Sequence, residues 1–172
     1  IQIPDTGIQP RSALGFSLIA LASILDDQTL KSEIEKIKGK IDGSQFESTG
    51  KDLAGGLSGK VPIIYASRKN QSIAYNWKIK MNETGKIPAF YNVFSELNHN
   101  EMTGFDVKDT TEKLSRAFHF IILKDSSDHP QNIKRSTTIS RLYRERGQEV
   151  TELELTGQNK LHKIFSSLFM TR

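Results

Sequence analysis

Residues 82–104, NETGKIPAFYNVFSELNHNEMTG, concentrate the side chains of this chain that can move protons. They hold three carboxylates, Glu83, Glu96 and Glu101, one imidazole, His99, and three carboxamides around it, Asn92, Asn98 and Asn100. A carboxylate held within hydrogen-bond reach of a carbon-bound proton can act as a general base, and an imidazole can give or take a proton near neutral pH. Glu96, His99 and Glu101 could also be read as a metal set, but one nitrogen among neighbouring carboxylates matches a zinc site poorly. The stretch shows little periodicity and reads as a loop, and loops of that length are usually kept for a function. Polar decoration of a surface loop is the plain alternative.

Two of the chargeable residues break a local rule. Arg11 follows Pro10 and opens the apolar stretch 12–25, so it falls in the first turn of a helix, where the dipole favours an acid. Glu83 follows the helical pattern of residues 71–81 and sits at a helix C-terminus, where the dipole favours a base. Such departures are common at functional positions. For Arg11 the alternative is an exposed guanidinium with its stem packed on the helix.

The elements that must position these groups alternate. Ile1 to Pro4 reads as the tail of a short strand. Residues 27–41 repeat Leu30, Ile34, Ile37 and Ile41 at helical spacing. Residues 44–57 read as loop and short helix, with Gly55, Gly56 and Gly59 as turns that lack a phosphate-loop spacing. VPIIYA at 61–66 and FHFIIL at 118–123 read as buried strands, and 150–155 as a third. Helices are expected at 71–81, 132–146 and 158–170, with Trp77 in the core. His119 reads as a hydrogen-bonded structural histidine. Strands separated by helices imply an α/β domain, a three-layer α/β/α sandwich with a mainly parallel sheet. Ligands of such sheets bind beyond the carboxyl ends of the strands, where Ser67 would lie.

With 172 residues the chain has room for one domain with a real core. Hydrophobic content of 36% and charged content of 26% exclude both disorder and a membrane-embedded chain, and no apolar run is long enough to span a bilayer. The absence of cysteine rules out disulfides and thiolate chemistry and suits a cytoplasmic location. A net charge of +4 with scattered lysines does not make a nucleic-acid surface, and the basic residues of 132–146 read as a solvated helix face. The first residue is Ile, from which a fragment or processed product is expected.

Glu96-Leu97-Asn98-His99-Asn100-Glu101, followed by Gly104, resembles the signature loop of the bifunctional phosphoglucose/phosphomannose isomerases of the sugar isomerase (SIS) superfamily. Asn82-Glu83-Thr84-Gly85-Lys86 resembles that family's Asn-Glu-Asn-Ala-Lys segment, and Gln9-Pro10-Arg11-Ser12-Ala13-Leu14 its Pro-Arg-x-x-Leu stretch, in the same order. The resemblance covers essentially the whole chain. It implies a flavodoxin-like SIS fold and a chain, residues 1–172, that is the second of two SIS domains. The first domain's phosphate loop and a terminal helix with a catalytic lysine would then lie outside it.

The resemblance further implies interconversion of glucose 6-phosphate or mannose 6-phosphate with fructose 6-phosphate through an enediolate, at the hexose phosphate step of glycolysis and gluconeogenesis. Glu83 would be the base, Arg11 would bind substrate and stabilise the enediolate, and His99 would open the sugar ring. Ser67 and Asn98 would be substrate-binding positions. His99 would come from a neighbouring subunit, which implies a homodimer, and neither metal nor cofactor is called for. A sugar-phosphate-binding module without catalysis, or a dimerisation domain, are the other classes the sequence leaves open.

Overall fold

The computed structural model describes residues 3–5 and 7–171. A 3-10 turn at Pro10–Ser12 leads into α1 (Leu14–Ile24) and α2 (Gln28–Ile37), and a second at Gly43–Phe46 leads into α3 (Glu47–Gly56). Strand and helix then alternate: β1 (Val61–Ser67), α4 (Gln71–Glu83), β2 (Phe90–Phe94), the short α5 (Glu101–Gly104) and α6 (Glu112–Ser115), β3 (Phe118–Lys124), α7 (Pro130–Glu145), β4 (Glu149–Glu154) and α8 (Lys160–Phe169). The strand tail expected at Ile1 to Pro4 lies partly outside the described residues, and residues 3–5 carry no regular structure.

The four strands form one parallel sheet in the order β2-β1-β3-β4. The three strands expected from the apolar runs are therefore neighbours and parallel. β1 and β3 lie in the interior of the sheet and are buried on both faces, so Ile64, Tyr65, Ala66, Phe120, Ile121 and Ile122 are all fully buried. One face packs on α3, α4 and α8 through Leu53, Trp77, Met81 and Leu168. The other packs on α7 and the turn after β2 through Ile139, Tyr143 and Leu97. Two cores on the two faces of one sheet make the three-layer sandwich.

Three local expectations change. Residues 82–104 are not a bare loop, since they contain β2, a 3-10 turn at Glu96–Asn98 and α5. β2 is an edge strand held by pairing with β1, so it needs little apolar character of its own. α2 stops at Ile37 because Lys38 turns to ψ 124°, while Asp27 caps its start at 2.9 Å from the Leu30 amide. The glycines of 50–56 lie inside α3, where a Cβ on Gly50 would sit 3.1 Å from the Met170 carbonyl oxygen. Glycine there lets α3 approach the end of α8.

His119 is 5% exposed and structural. Its Nδ1 donates to the Gly56 carbonyl at 3.1 Å and its Nε2 accepts from the Thr151 hydroxyl at 2.8 Å. α1 is apolar almost all round, and Ile19, Leu21 and Ile24 on it and Leu25 just after it are exposed. Among the described residues no helix is long and apolar enough to cross a membrane.

The carboxyl ends of β1 and β3 are joined by a buried polar cluster. Asp125 is 3% exposed and accepts from Lys163 of α8 at 2.6 Å, from the Ser127 hydroxyl at 2.6 Å and from Asn70 at 3.1 Å. Burial opposes its charge, but the hydrogen bonds from Lys163, Ser127 and Asn70 outweigh it and hold the carboxyl well below the usual range. Asp128 is shifted the other way, upward, first by burial and then by the Asp125 charge beside it.

Replacing Lys163 with Met should cost about 3 kcal/mol in denaturant unfolding at neutral pH, because buried Asp125 loses its close ammonium partner and keeps only the more exposed Lys69 at 3.7 Å. A depressed carboxyl contributes stability that is complete above its unfolded value of about 3.9 and is lost as pH falls through the lower folded value. The acid limb of the stability curve should therefore be shallower in Lys163→Met than in the wild type. Asp128, whose pKa is raised, works in the opposite sense, losing its contribution as pH rises from about 4. An unchanged midpoint in Lys163→Met would show that the pair is not a clamp.

Candidate functional site

Arg11 is carried by the 3-10 turn that precedes α1, with Pro10 presetting its first residue. It is not in the first turn of α1, and the conflict with the helix dipole expected from sequence does not arise. The half-buried side chain lines a small cleft of about 120 Å³ with Asn76 and Lys80 of α4 and Phe165 and Leu168 of α8. Its guanidinium makes no hydrogen bond or ion pair with the described residues.

Glu83 is the last residue of α4 and is exposed. Asn76, Lys80 and Glu83 follow one another at four- and three-residue steps and so share one face of that helix, the face Arg11 meets. The chain leaves α4 through a tight reversal. The Thr84 amide bonds the Lys80 carbonyl at 2.8 Å, Asn82 donates to the Ile87 carbonyl at 2.8 Å, and a Cβ on Gly85 would come within 2.9 Å of the Met81 carbonyl oxygen. Glycine at 85 is what the reversal requires, and the reversal fixes the direction in which Glu83 leaves the helix.

His99 lies at the other end of the sheet. It closes the 3-10 turn Glu96–Asn98 after β2, with its amide bonded to the Glu96 carbonyl at 2.9 Å. The imidazole is exposed and hydrogen-bonds none of the described residues. Leu97 beside it is fully buried, and the buried Oδ1 of Asn98 has no partner among the described residues. Because β1 is followed by α4 and then by the parallel β2, α4 ends at the amino edge of the sheet and β2 ends at the carboxyl edge. Within one chain Glu83 and His99 are thus separated by at least the length of β2, roughly 15 Å.

Ser67 is at the carboxyl end of β1, as expected, but it is 1% exposed and its hydroxyl donates to Asp128 at 2.8 Å. Of the five site residues expected from sequence, Arg11 packs in a cleft against α4, the helix that ends in Glu83, while Asn98 and His99 share a turn at the carboxyl edge. Ser67 is tied into the Asp125 cluster. Glu101 is engaged by Tyr65 and Asn92, and among the described residues no group of three His, Cys, Asp or Glu side chains is placed to hold a metal ion.

Sequence reading passed over Asn76 and Lys80 beside Arg11, although their spacing with Glu83 was legible. It also passed over Tyr65, which looks like any core residue of an apolar strand.

The sequence model of the bacterial phospho-glucose isomerase C-terminal SIS domain matches residues 46–171. The bifunctional phosphoglucose/phosphomannose isomerase of Caldicellulosiruptor bescii is 32% identical over 99% of this chain and 53% of its own length. That of Thermoplasma volcanium is 31% identical over 95% of this chain and 51% of its own. The chain spans about half the length of these curated relatives. Among solved structures, the C-terminal domain of glucosamine-fructose-6-phosphate aminotransferase from Francisella tularensis superposes with a TM-score of 0.54 at 16% identity, covering 85% of this chain and 44% of that one. A protein of Salmonella typhimurium LT2 described as sugar binding gives 0.57 at 13% identity, covering 88% of this chain and 49% of that one, and both likenesses concern the fold alone. On its sequence this chain belongs to the bifunctional phosphoglucose/phosphomannose isomerase family, and the part of that family it matches is the C-terminal SIS domain.

Proposed function

We propose that the chain supplies half of an aldose–ketose isomerase site that converts glucose 6-phosphate or mannose 6-phosphate to fructose 6-phosphate in the cytoplasm. The observation that carries the reading is the pairing of Arg11 with the α4 face that ends in Glu83. Isomerisation moves a proton between adjacent carbons. Glu83, exposed at a locked helix end, takes the proton from one carbon and returns it to the next. The enediolate formed in between carries its charge on oxygen, and the Arg11 guanidinium, unpaired among the described residues, offers fixed donors to that oxygen. Asn76 extends the same polar wall.

His99 opens the sugar ring by acid–base transfer at the ring oxygen, and Asn98 adds a polar side chain for the sugar hydroxyls. Ser67 supports the β1 turn through Asp128. Because His99 and Glu83 of one chain face opposite edges of the sheet, a complete site takes its histidine from a second copy. That arrangement is a homodimer with shared sites.

Glu83→Gln should lower isomerisation by about 10²-fold or more, since Gln keeps the shape and hydrogen bonds of Glu but cannot accept a carbon-bound proton. The reading is tested by proton exchange at the second carbon of fructose 6-phosphate in heavy water. Exchange at the wild-type rate would end the assignment of Glu83.

A shared site makes a second expectation. Glu83→Gln and His99→Asn proteins should each be inactive alone, yet recover roughly a quarter of wild-type activity when dissociated and reassociated together. Half of the random dimers are then mixed, and each mixed dimer holds one intact site of two. No recovery from a mixture shown to exchange subunits would place both residues in the same chain's site.

A further inference from the structure

Glu101 follows His99 by two residues, and its carboxylate is gripped from two strands. Oε1 accepts from the Tyr65 hydroxyl of β1 at 2.6 Å, and Oε2 accepts from the Asn92 amide of β2. Tyr65 and Asn92 are direct partners in the β1–β2 register, so their side chains project from the same face of the sheet. The grip is therefore set by strand register, and a slip of one residue in either strand would turn that strand's donor to the opposite face.

The donor side is rigid. Tyr65 is fully buried, with its ring 6.3 Å from Phe94, 5.7 Å from Phe120 and 6.4 Å from Tyr143. Burial, with Tyr143 and Glu101 close by, raises the Tyr65 hydroxyl far above the ordinary phenol range. It therefore keeps its proton and donates it to Glu101. Tyr143 approaches the same oxygen at 3.4 Å and has its own pKa pushed up to about 12, chiefly by burial. On the far side of α5, Arg146 donates to the Met102 carbonyl at 3.2 Å and pairs with Asp106. Phe105 packs edge-on against Phe120 at 4.8 Å.

His99 thus sits between two anchors, the buried Leu97 and the gripped Glu101, while its own ring hydrogen-bonds none of the described residues. The Glu101 carboxylate is partly buried and takes one hydrogen bond from each of two strands, so the first residue of a four-residue helix is tied to the sheet. We infer that Tyr65 and Glu101 are positioning residues for His99, with Tyr65 acting through the Glu101 carboxylate to hold the imidazole where a partner's substrate meets it. The inference rests on the isomerase reading above.

The test uses the native protein and the variants Tyr65→Phe, Glu101→Gln and Glu101→Ala, each made also in a His99→Asn background. Tyr65→Phe should lower kcat by roughly tenfold to hundredfold with KM little changed, the scale expected when a reacting group is displaced by about 1 Å. Glu101→Gln, whose amide oxygen can still accept from Tyr65, should be milder than Glu101→Ala. In the His99→Asn background Tyr65→Phe should change the residual rate by less than about twofold, because the group it positions is gone. Amide exchange across residues 96–104 should quicken in Tyr65→Phe while protection of β3 is retained, which separates a loosened turn from a failed fold.

Unchanged exchange across 96–104, or an equal loss from Tyr65→Phe with and without His99, would overturn the inference. Full activity of His99→Asn would instead overturn the isomerase reading itself, and would do so even if the exchange result came out as expected.

Discussion

Residues 61–67 form a strand hydrogen-bonded along both edges and buried on both faces, and the polar features of the domain are arranged around it. A strand in that position cannot shift in register without moving two neighbours and two helical layers. Its successive side chains are thus assigned to fixed jobs. Ile64 and Ala66 face the layer of α4 and α8, Tyr65 faces α7 and the histidine turn, and Ser67 meets Asp128 at the carboxyl edge. One interior strand sets the position of two polar groups, Glu101 and Asp128, that belong to different elements.

The direction of the chain does the rest. In a parallel pair the connecting helix must carry the chain back across the full height of the sheet. α4 begins beside Asn70 at the carboxyl edge and delivers Glu83 to the amino edge, and β2 then returns to deliver His99 to the carboxyl edge. Two residues only sixteen positions apart in sequence are thereby placed at opposite ends of one layer. Chemistry that needs both draws on two surfaces, and in a symmetric assembly those surfaces can belong to two copies.

Much of this was legible in the amino-acid sequence. The interior strands announce themselves because burial on both faces demands continuous apolar runs, as in 61–66 and 118–123. Glu83 at a helix C-terminus stands out because it breaks a local preference, whereas the conflict expected for Arg11 beside Pro10 disappears once α1 is seen to start at Leu14. β2 does not stand out, since its stability comes from the ladder to β1 and its five residues mix Asn92 with aromatic and aliphatic side chains. The helix through Gly50, Gly55 and Gly56 is hidden for a similar reason: the packing of α3 against α8 and the sheet overrides a poor intrinsic propensity. The Tyr65–Glu101 contact joins residues 36 apart, and no local pattern in either neighbourhood points to the other.

The Asp125 cluster occupies the carboxyl ends of β1 and β3, beside the crevice where open α/β sheets ordinarily take their ligands. Ser67, Asn70, Lys163 and the two aspartates satisfy one another there, and no member can change charge without stranding a neighbour. In evolutionary terms the five positions form an epistatic unit. Single substitutions are penalised by the buried partner left behind, so changes at these positions are tolerated together more readily than one at a time.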